Sequence, residues 1–146
     1  MMTEQKDIQL ASELRIVVGR LIKKLRRQSS TADKLSLTER STMALLDQHQ
    51  ELLPNELAAM EKITTQSMSQ VLSNLQQHGL INRRISEMDK RKAIITLSDQ
   101  GRTLLYQARN ERDEWLNKAL NATCTSEEKI QLKKVIGTLT KLVDFD

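Results

Sequence analysis

Cysteine is nearly absent from this sequence. Cys124 stands alone among 146 residues, so no disulfide can form within the chain. One thiol and two histidines, His49 and His78, are also too few for a convincing four-ligand zinc site. Aromatic residues make up only 2% of the chain, as Tyr106, Trp115 and Phe145, so the core has to be aliphatic. No apolar run approaches the roughly 18 residues that a membrane span requires. The opening MMTEQKDIQL is polar and charged, unlike a signal peptide, and a cytoplasmic protein is expected. There is no Ser-His-Asp order, no glycine-rich phosphate loop and no pair of carboxylates in an apolar setting. An enzyme is therefore not expected, and neither is a metal or cofactor.

What is present suits one ordinary soluble domain. Hydrophobic residues are 38% and charged residues 29%, and the length allows a real core. The net charge is +4, with 23 basic against 19 acidic residues. That mild basicity permits a nucleic-acid or anionic-surface partner without proving one. No internal repeat, low-complexity segment or dividing linker is visible.

Hydrophobic spacing gives the element order. From Ile8 to Arg27, the residues Leu10, Leu14, Val17, Val18, Leu21, Ile22 and Leu25 form a helical stripe. One small domain rarely covers so long a stripe, so part of it is expected to face another subunit. The polar stretch QSSTADKLS (28–36) reads as a loop. Thr38 is the expected N-cap of a second helix that reaches about Gln48 and buries Met43, Leu45 and Leu46. The only proline, Pro54, suits the first position of a short third helix carrying Leu57, Ala58 and Met60. Thr64 is a candidate cap for a fourth helix, TQSMSQVLSNLQQ (65–77), and Gly79 follows where a left-handed residue is usually needed. Leu80–Arg84 and Ala93–Leu97 alternate as two antiparallel strands. Ser98 can cap a fifth helix running to about Leu120 on Leu104, Leu105, Ala108, Leu116 and Ala119. TSEEK (125–129) is a capping box that opens a sixth helix on Leu132, Val135, Ile136, Leu139, Leu142 and Val143.

This predicts a mainly α protein with a small two- to three-stranded β wing. Residues 37–97 form a winged helix-turn-helix. Residues 1–36 and 98–146 supply helices from both chain ends for dimerisation, within one intertwined domain.

The fourth helix has a distinctive composition. Met68, Val71, Leu72 and Leu75 fall at i, i+3, i+4 and i+7 and form its buried face. Gln66, Gln70, Ser73 and Gln77 lie opposite, with Ser69 on the flank. The helix has no charged side chain. A face exposed only for solubility usually carries Lys or Glu, whereas Gln and Ser can bond to base edges or phosphates. By itself this face reads equally as a plain polar surface. The neighbouring stretch NRRISEMDKRKAIITL (82–97) raises the nucleic-acid reading, because it places Arg83, Arg84, Lys90, Arg91 and Lys92 around a hairpin turn.

Residues 53–101 then resemble the MarR-type transcriptional regulators. The resemblance rests on the helix pair, on HGLINRR (78–84), on the wing signature Asp89-Lys90-Arg91-Lys92 between two strands, and on ITLSDQG (95–101). It extends over nearly the whole chain. It implies an obligate homodimer on double-stranded DNA, its first and last two helices interlocked and its fourth helices in successive major grooves. Half-sites about 10 bp apart would form a pseudo-palindrome. By position, Thr65, Gln66, Ser67, Ser69 and Gln70 would face the major groove, with Ser73 one turn further on. Arg91 would be the wing arginine, at the minor groove or phosphates, with Asp89 fixing it. Arg83, Arg84, Lys90 and Lys92 would be phosphate contacts. The chain departs from the family pattern in two places. Lys62 stands where the turn before the fourth helix usually has glycine, so a turn of different shape is expected. Leu53 stands where Ser or Thr commonly caps the third helix.

The remaining features have bland readings that compete well. RLIKKLRR (20–27) could add phosphate contacts, but a solvated helix face is favoured. Relatives that sense oxidation carry their cysteine in the first helix, whereas Cys124 lies between neutral threonines before the last helix. Relatives often bind small phenolic or anionic effectors, and scarce aromatics leave such a pocket open here. The rival functional reading is a winged-helix dimer that acts on a partner protein without binding DNA. Five wing cations against Glu87 and Asp89 weigh against it.

Overall fold

The computed structural model describes residues 1–29 and 34–146. The chain runs α1 (Met2–Arg27), α2 (Leu37–His49), β1 (Glu51–Leu52), α3 (Pro54–Glu61), α4 (Thr65–Gln77), β2 (Ile81–Ile85), β3 (Ala93–Leu97), α5 (Asp99–Thr123) and α6 (Ser126–Val143). Of the loop expected at 28–36, residues 30–33 lie outside the described residues.

Most element ends follow from local chemistry. Ser36, rather than the expected Thr38, caps α2. Its hydroxyl accepts the Glu39 N–H at 3.1 Å, and the Glu39 carboxylate accepts the Ser36 N–H at 3.4 Å. A Ser-x-x-Glu box satisfies two end groups at once. Thr38 sits inside the first turn, and its carbonyl accepts the Thr42 hydroxyl. The same box, Thr125 with Glu128, opens α6 as expected. Helix α3 lacks a hydroxyl cap at Leu53, but Glu56 supplies half a box by accepting the Leu53 N–H at 2.9 Å.

The turn between α3 and α4 keeps a left-handed residue although no glycine is there. Lys62 has φ 55° and ψ 42°, and Ile63 N–H closes the turn on the Ala58 carbonyl. The different turn shape expected from the missing glycine is therefore not found. A side chain in that region costs about 1 kcal/mol or more, and the packed α3–α4 pair imposes it. After α4, Gly79 takes φ 71°. Leu80 N–H bonds to Leu75 O and Gly79 N–H to Gln76 O, the paired bonds that close a helix on a left-handed glycine.

The sheet has three antiparallel strands in the order β1-β3-β2. The two-residue β1 adds an edge to the expected pair. Ile81, Ile95, Leu97 and Leu52 point one way and join the core under α2, α3 and α4. Met43, Leu46, Leu57, Met68, Leu72, Leu75 and Ile95 are fully buried at its centre. The core is aliphatic, as the composition requires. Of the three apolar residues that α3 carries, Leu57 and Ala58 are buried and Met60 is exposed.

Helices α1 and α6 are different. Among the described residues, neither has a buried side chain. Leu10, Val17 and Ile22 on α1 and Ile136, Leu142 and Val143 on α6 are all exposed.

Candidate nucleic-acid interface

Helix α4 presents its polar face to solvent. Thr65, Gln66, Ser67, Ser69, Gln70 and Ser73 are all exposed, while Met68, Leu72 and Leu75 are buried beneath them. Two of these polar residues already have local partners. The Thr64 hydroxyl accepts the Ser67 N–H at 3.0 Å and donates to the Ser67 hydroxyl at 2.9 Å. Gln70 donates its amide to Asn74 at 3.2 Å. Thr65, Gln66, Ser69 and Ser73 are the other exposed side chains of the six on this face. At the far end His78 Nδ1 lies 2.7 Å from the Asn74 carbonyl, so the ring closes the helix end.

The wing divides its cations. Arg83 and Arg84 are consecutive in β2, so they leave the sheet on opposite faces. Arg84 turns to β1, where its guanidinium meets the Glu51 carboxylate at 2.6 Å. Arg83 stands opposite Ile95 in register, on the face that carries the core further along. Lys90 and Lys92 are exposed at the turn.

Asp89 organises the wing tip. Its Oδ1 accepts the Arg91 backbone N–H at 3.1 Å and Arg91 Nε at 3.2 Å, and Oδ2 lies 3.5 Å from Arg91 Nη2. Ser86 N–H bonds to Lys92 O, and Lys92 N–H to Asp89 O, which shuts the hairpin beneath. The Arg91 guanidinium, and next its backbone N–H, hold the Asp89 carboxyl below the usual carboxylate range. Arg91 itself remains 91% exposed. The tip thus offers a cation whose base is fixed and whose outer edge is open.

A polar joint links this unit to α5. The Ser98 hydroxyl donates to the Gly79 carbonyl at 2.7 Å and accepts the Gly101 N–H at 2.9 Å, and Ser98 N–H bonds to Leu80 O. The end of α4, the end of β3 and the start of α5 therefore meet at one serine. Sequence reading finds Ser98 only as a helix cap. Its bond to Gly79, nineteen residues away, leaves no local pattern.

The MarR family model matches residues 35–93, the whole span from the cap of α2 to the start of β3. Over 138 residues the chain is 31% identical to the HTH-type transcriptional regulator MT0903.1 of Mycobacterium tuberculosis (strain CDC 1551 / Oshkosh), covering 94% of this chain and 95% of that one. This chain belongs to the MarR family. A MarR family member of this kind is a transcriptional regulator with a DNA-binding role. Its fold matches the crystal structure of a Pseudomonas aeruginosa PA01 protein described as a transcriptional regulator, with TM-score 0.86, 32% identity, and 97% and 98% of the two chains covered. A Staphylococcus aureus MepR mutant bound to an oligodeoxyribonucleotide shares the fold at TM-score 0.70 and 23% identity, covering 92% of this chain and 98% of that one.

Proposed function

We propose that this MarR family regulator acts in the cytoplasm as a homodimer on a pseudo-palindromic operator in double-stranded DNA, and that it represses by occupying that site. The observation that carries the reading is the juxtaposition on one unit of an uncharged polar α4 face and a wing tip whose arginine is fixed by Asp89. Residues 37–97 form the DNA-binding unit, and 1–36 with 98–146 form the dimerisation part. The exposed apolar faces of α1 and α6 support the dimer, because a second copy would cover them. Thr65, Gln66, Ser67, Ser69, Gln70 and Ser73 read the major groove. Arg91 enters the minor groove or its phosphates, and Arg83, Arg84, Lys90 and Lys92 add phosphate attraction. Arg84 does so least, since Glu51 already neutralises it.

A small phenolic or anionic effector would release the operator by favouring a dimer geometry that no longer fits it.

Selection from random duplexes at low salt, followed by titration of the winning sequence, tests the reading. Arg91→Ala should weaken binding to all sequences and lower the salt dependence. Gln66→Ala or Gln70→Ala should instead change which base is preferred, by roughly 1–3 kcal/mol at the affected position. Absence of any binding at micromolar protein would favour a protein-interaction module, and sedimentation of the free protein as a monomer would remove the dimer.

A further inference from the structure

Asp47 is an acid in an unfavourable place. It lies two residues before the end of α2, near the negative end of that helix dipole, and its side chain is only 16% exposed. A carboxylate there costs free energy unless cations and donors hold it. Every long-range side-chain partner described for it lies on α5. The Tyr106 hydroxyl donates to Oδ1 at 2.8 Å, Arg109 Nη1 meets Oδ2 at 3.3 Å, and Arg102 Nε lies 3.9 Å from Oδ1. These three residues are spaced i, i+4 and i+7, one stripe of the helix. The Arg109 guanidinium also lies over the Tyr106 ring, 5.7 Å from its centre.

The cluster is the second of two anchors. The first is the Ser98 joint, which fastens the end of α4 to the start of α5. Eleven residues separate Ser98 from Arg109, about 16 Å along a helix. Between the two anchors Leu105 and Ala108 of α5 are buried, Leu105 within the core itself, so apolar packing holds the unit against α5 and the polar contacts at either end set its direction. Two anchors fix its angle on α5, and α5 leads into the part that carries the apolar dimer faces. We propose that Asp47 is a positioning residue which, through Tyr106 and Arg109, sets the angle of the DNA-reading unit on α5 and thereby the half-site spacing that the dimer accepts. This rests on the proposed dimeric operator binding.

The test uses the full-length protein and its selected operator, with the central spacer lengthened or shortened by one or two base pairs. Each added base pair rotates and displaces one half-site against the other, so the wild type should lose roughly tenfold in affinity per base pair away from its optimum. Asp47→Asn keeps an oxygen for the Tyr106 hydroxyl and removes the charge that holds Arg109. Tyr106→Phe removes the hydroxyl at an exposed position that folding does not require. Both should flatten the spacing profile to about threefold or less per base pair while keeping the half-site sequence preference. A purely stabilising contact would instead lower affinity by one factor at all spacings, and that result, or an unchanged profile, overturns the proposal. If Asp47→Asn does not fold, the Tyr106→Phe profile decides alone. If the wild type selects no duplex, the operator-binding reading itself has failed and the proposal falls with it. A wild type that binds with a sharp optimum, next to variants with the same optimum and slope, rejects only the role of Asp47.

Discussion

Replacing Gly101 by alanine sets two effects of opposite sign against each other. Gly101 lies in the first turn of α5, and in an open helix position Gly→Ala gains about 1 kcal/mol. Here the added carbon would sit 2.1 Å from the Leu80 carbonyl oxygen and 3.0 Å from Leu97 Cδ1. The Leu80 carbonyl cannot move freely, since it accepts the Ser98 N–H at 3.0 Å and its residue is buried. Overpacking of this sort costs about 1–3 kcal/mol. Losing the buried bond to Ser98 would add about 1–3 kcal/mol. With the propensity gain deducted, the net is a destabilisation of about 3 kcal/mol, or roughly 6–12 °C in Tm for a chain of this size. Gly19→Ala is the control. Gly19 is also helical, nothing beyond its chain neighbours and its own helix backbone lies within 4 Å of its added carbon, and its place in the sequence sets it away from the apolar stripe of α1. That variant should gain up to about 1 kcal/mol. Urea and thermal unfolding followed by circular dichroism at one fixed protein concentration read both. If Gly101→Ala were as stable as the wild type, the close approach of α5 to Leu80 would be wrong.

Three further outcomes are expected. Tyr106 is the only tyrosine, so absorbance at high pH reports it alone. Its hydrogen bond to Asp47 raises its pKa above 10.0, and Asp47→Asn should bring the midpoint back towards that value. Because the folded pKa lies above the unfolded one, this contribution to stability is complete below about pH 10 and is lost as pH rises through the folded midpoint. The Asp89 carboxyl should titrate below 3.8 by carbon-detected NMR and move up in Arg91→Ala. Its stabilising effect is present above the unfolded pKa and disappears as pH falls through the folded one, so acid should loosen the wing tip before it unfolds the core. Lys62→Gly should relieve the left-handed backbone and stabilise the protein by up to about 1 kcal/mol in urea unfolding. Its ion pair with Asp146 is exposed on both sides and offsets little of that gain.

The parts of the fold that short-range patterns can specify are legible in the sequence. The Met68-Val71-Leu72-Leu75 stripe gives α4, Gly79 gives its end, and Thr125-Glu128 gives the start of α6, because each relation spans one helical turn. Ser36 and Thr38 show how close alternatives are separated: both are hydroxyl residues before an apolar run, but only Ser36 has a Glu three residues on. Strand β1 has two residues and no period of its own, so it becomes visible only when β3 pairs with it. The same limit applies to the candidate site. Asp89 and Arg91 are two residues apart, and their pairing can be anticipated. Arg84 looks like one more wing cation until Glu51, thirty-three residues earlier, is brought beside it. Asp47 attracts no notice in the sequence, because its three partners lie 55 to 62 residues away on a helix whose stripe is otherwise unremarkable in charge.

The outer helices bear on how this molecule must be assembled. A 26-residue helix such as α1 gains little from propensity alone, and in proteins most helical stability comes from packing an apolar face. Among the described residues α1 buries none of its own side chains, yet its stripe from Leu10 to Leu25 carries an apolar residue at nearly every turn. The same holds for α6, where Ile130, Leu132, Val135, Ile136, Leu142 and Val143 stay exposed. The core of α2, α3, α4 and the sheet, by contrast, is closed within one chain. Covering both outer faces in the proposed dimer would therefore stabilise α1 and α6 far more than the reading unit. The unfolding midpoint should then rise with protein concentration. Dilution should melt the outer helices first, with helical signal lost before the core Met68 and Leu72 amides begin to exchange. If all helical signal and core protection vanished together, independent of concentration, the outer faces would have to be covered by something other than a second copy.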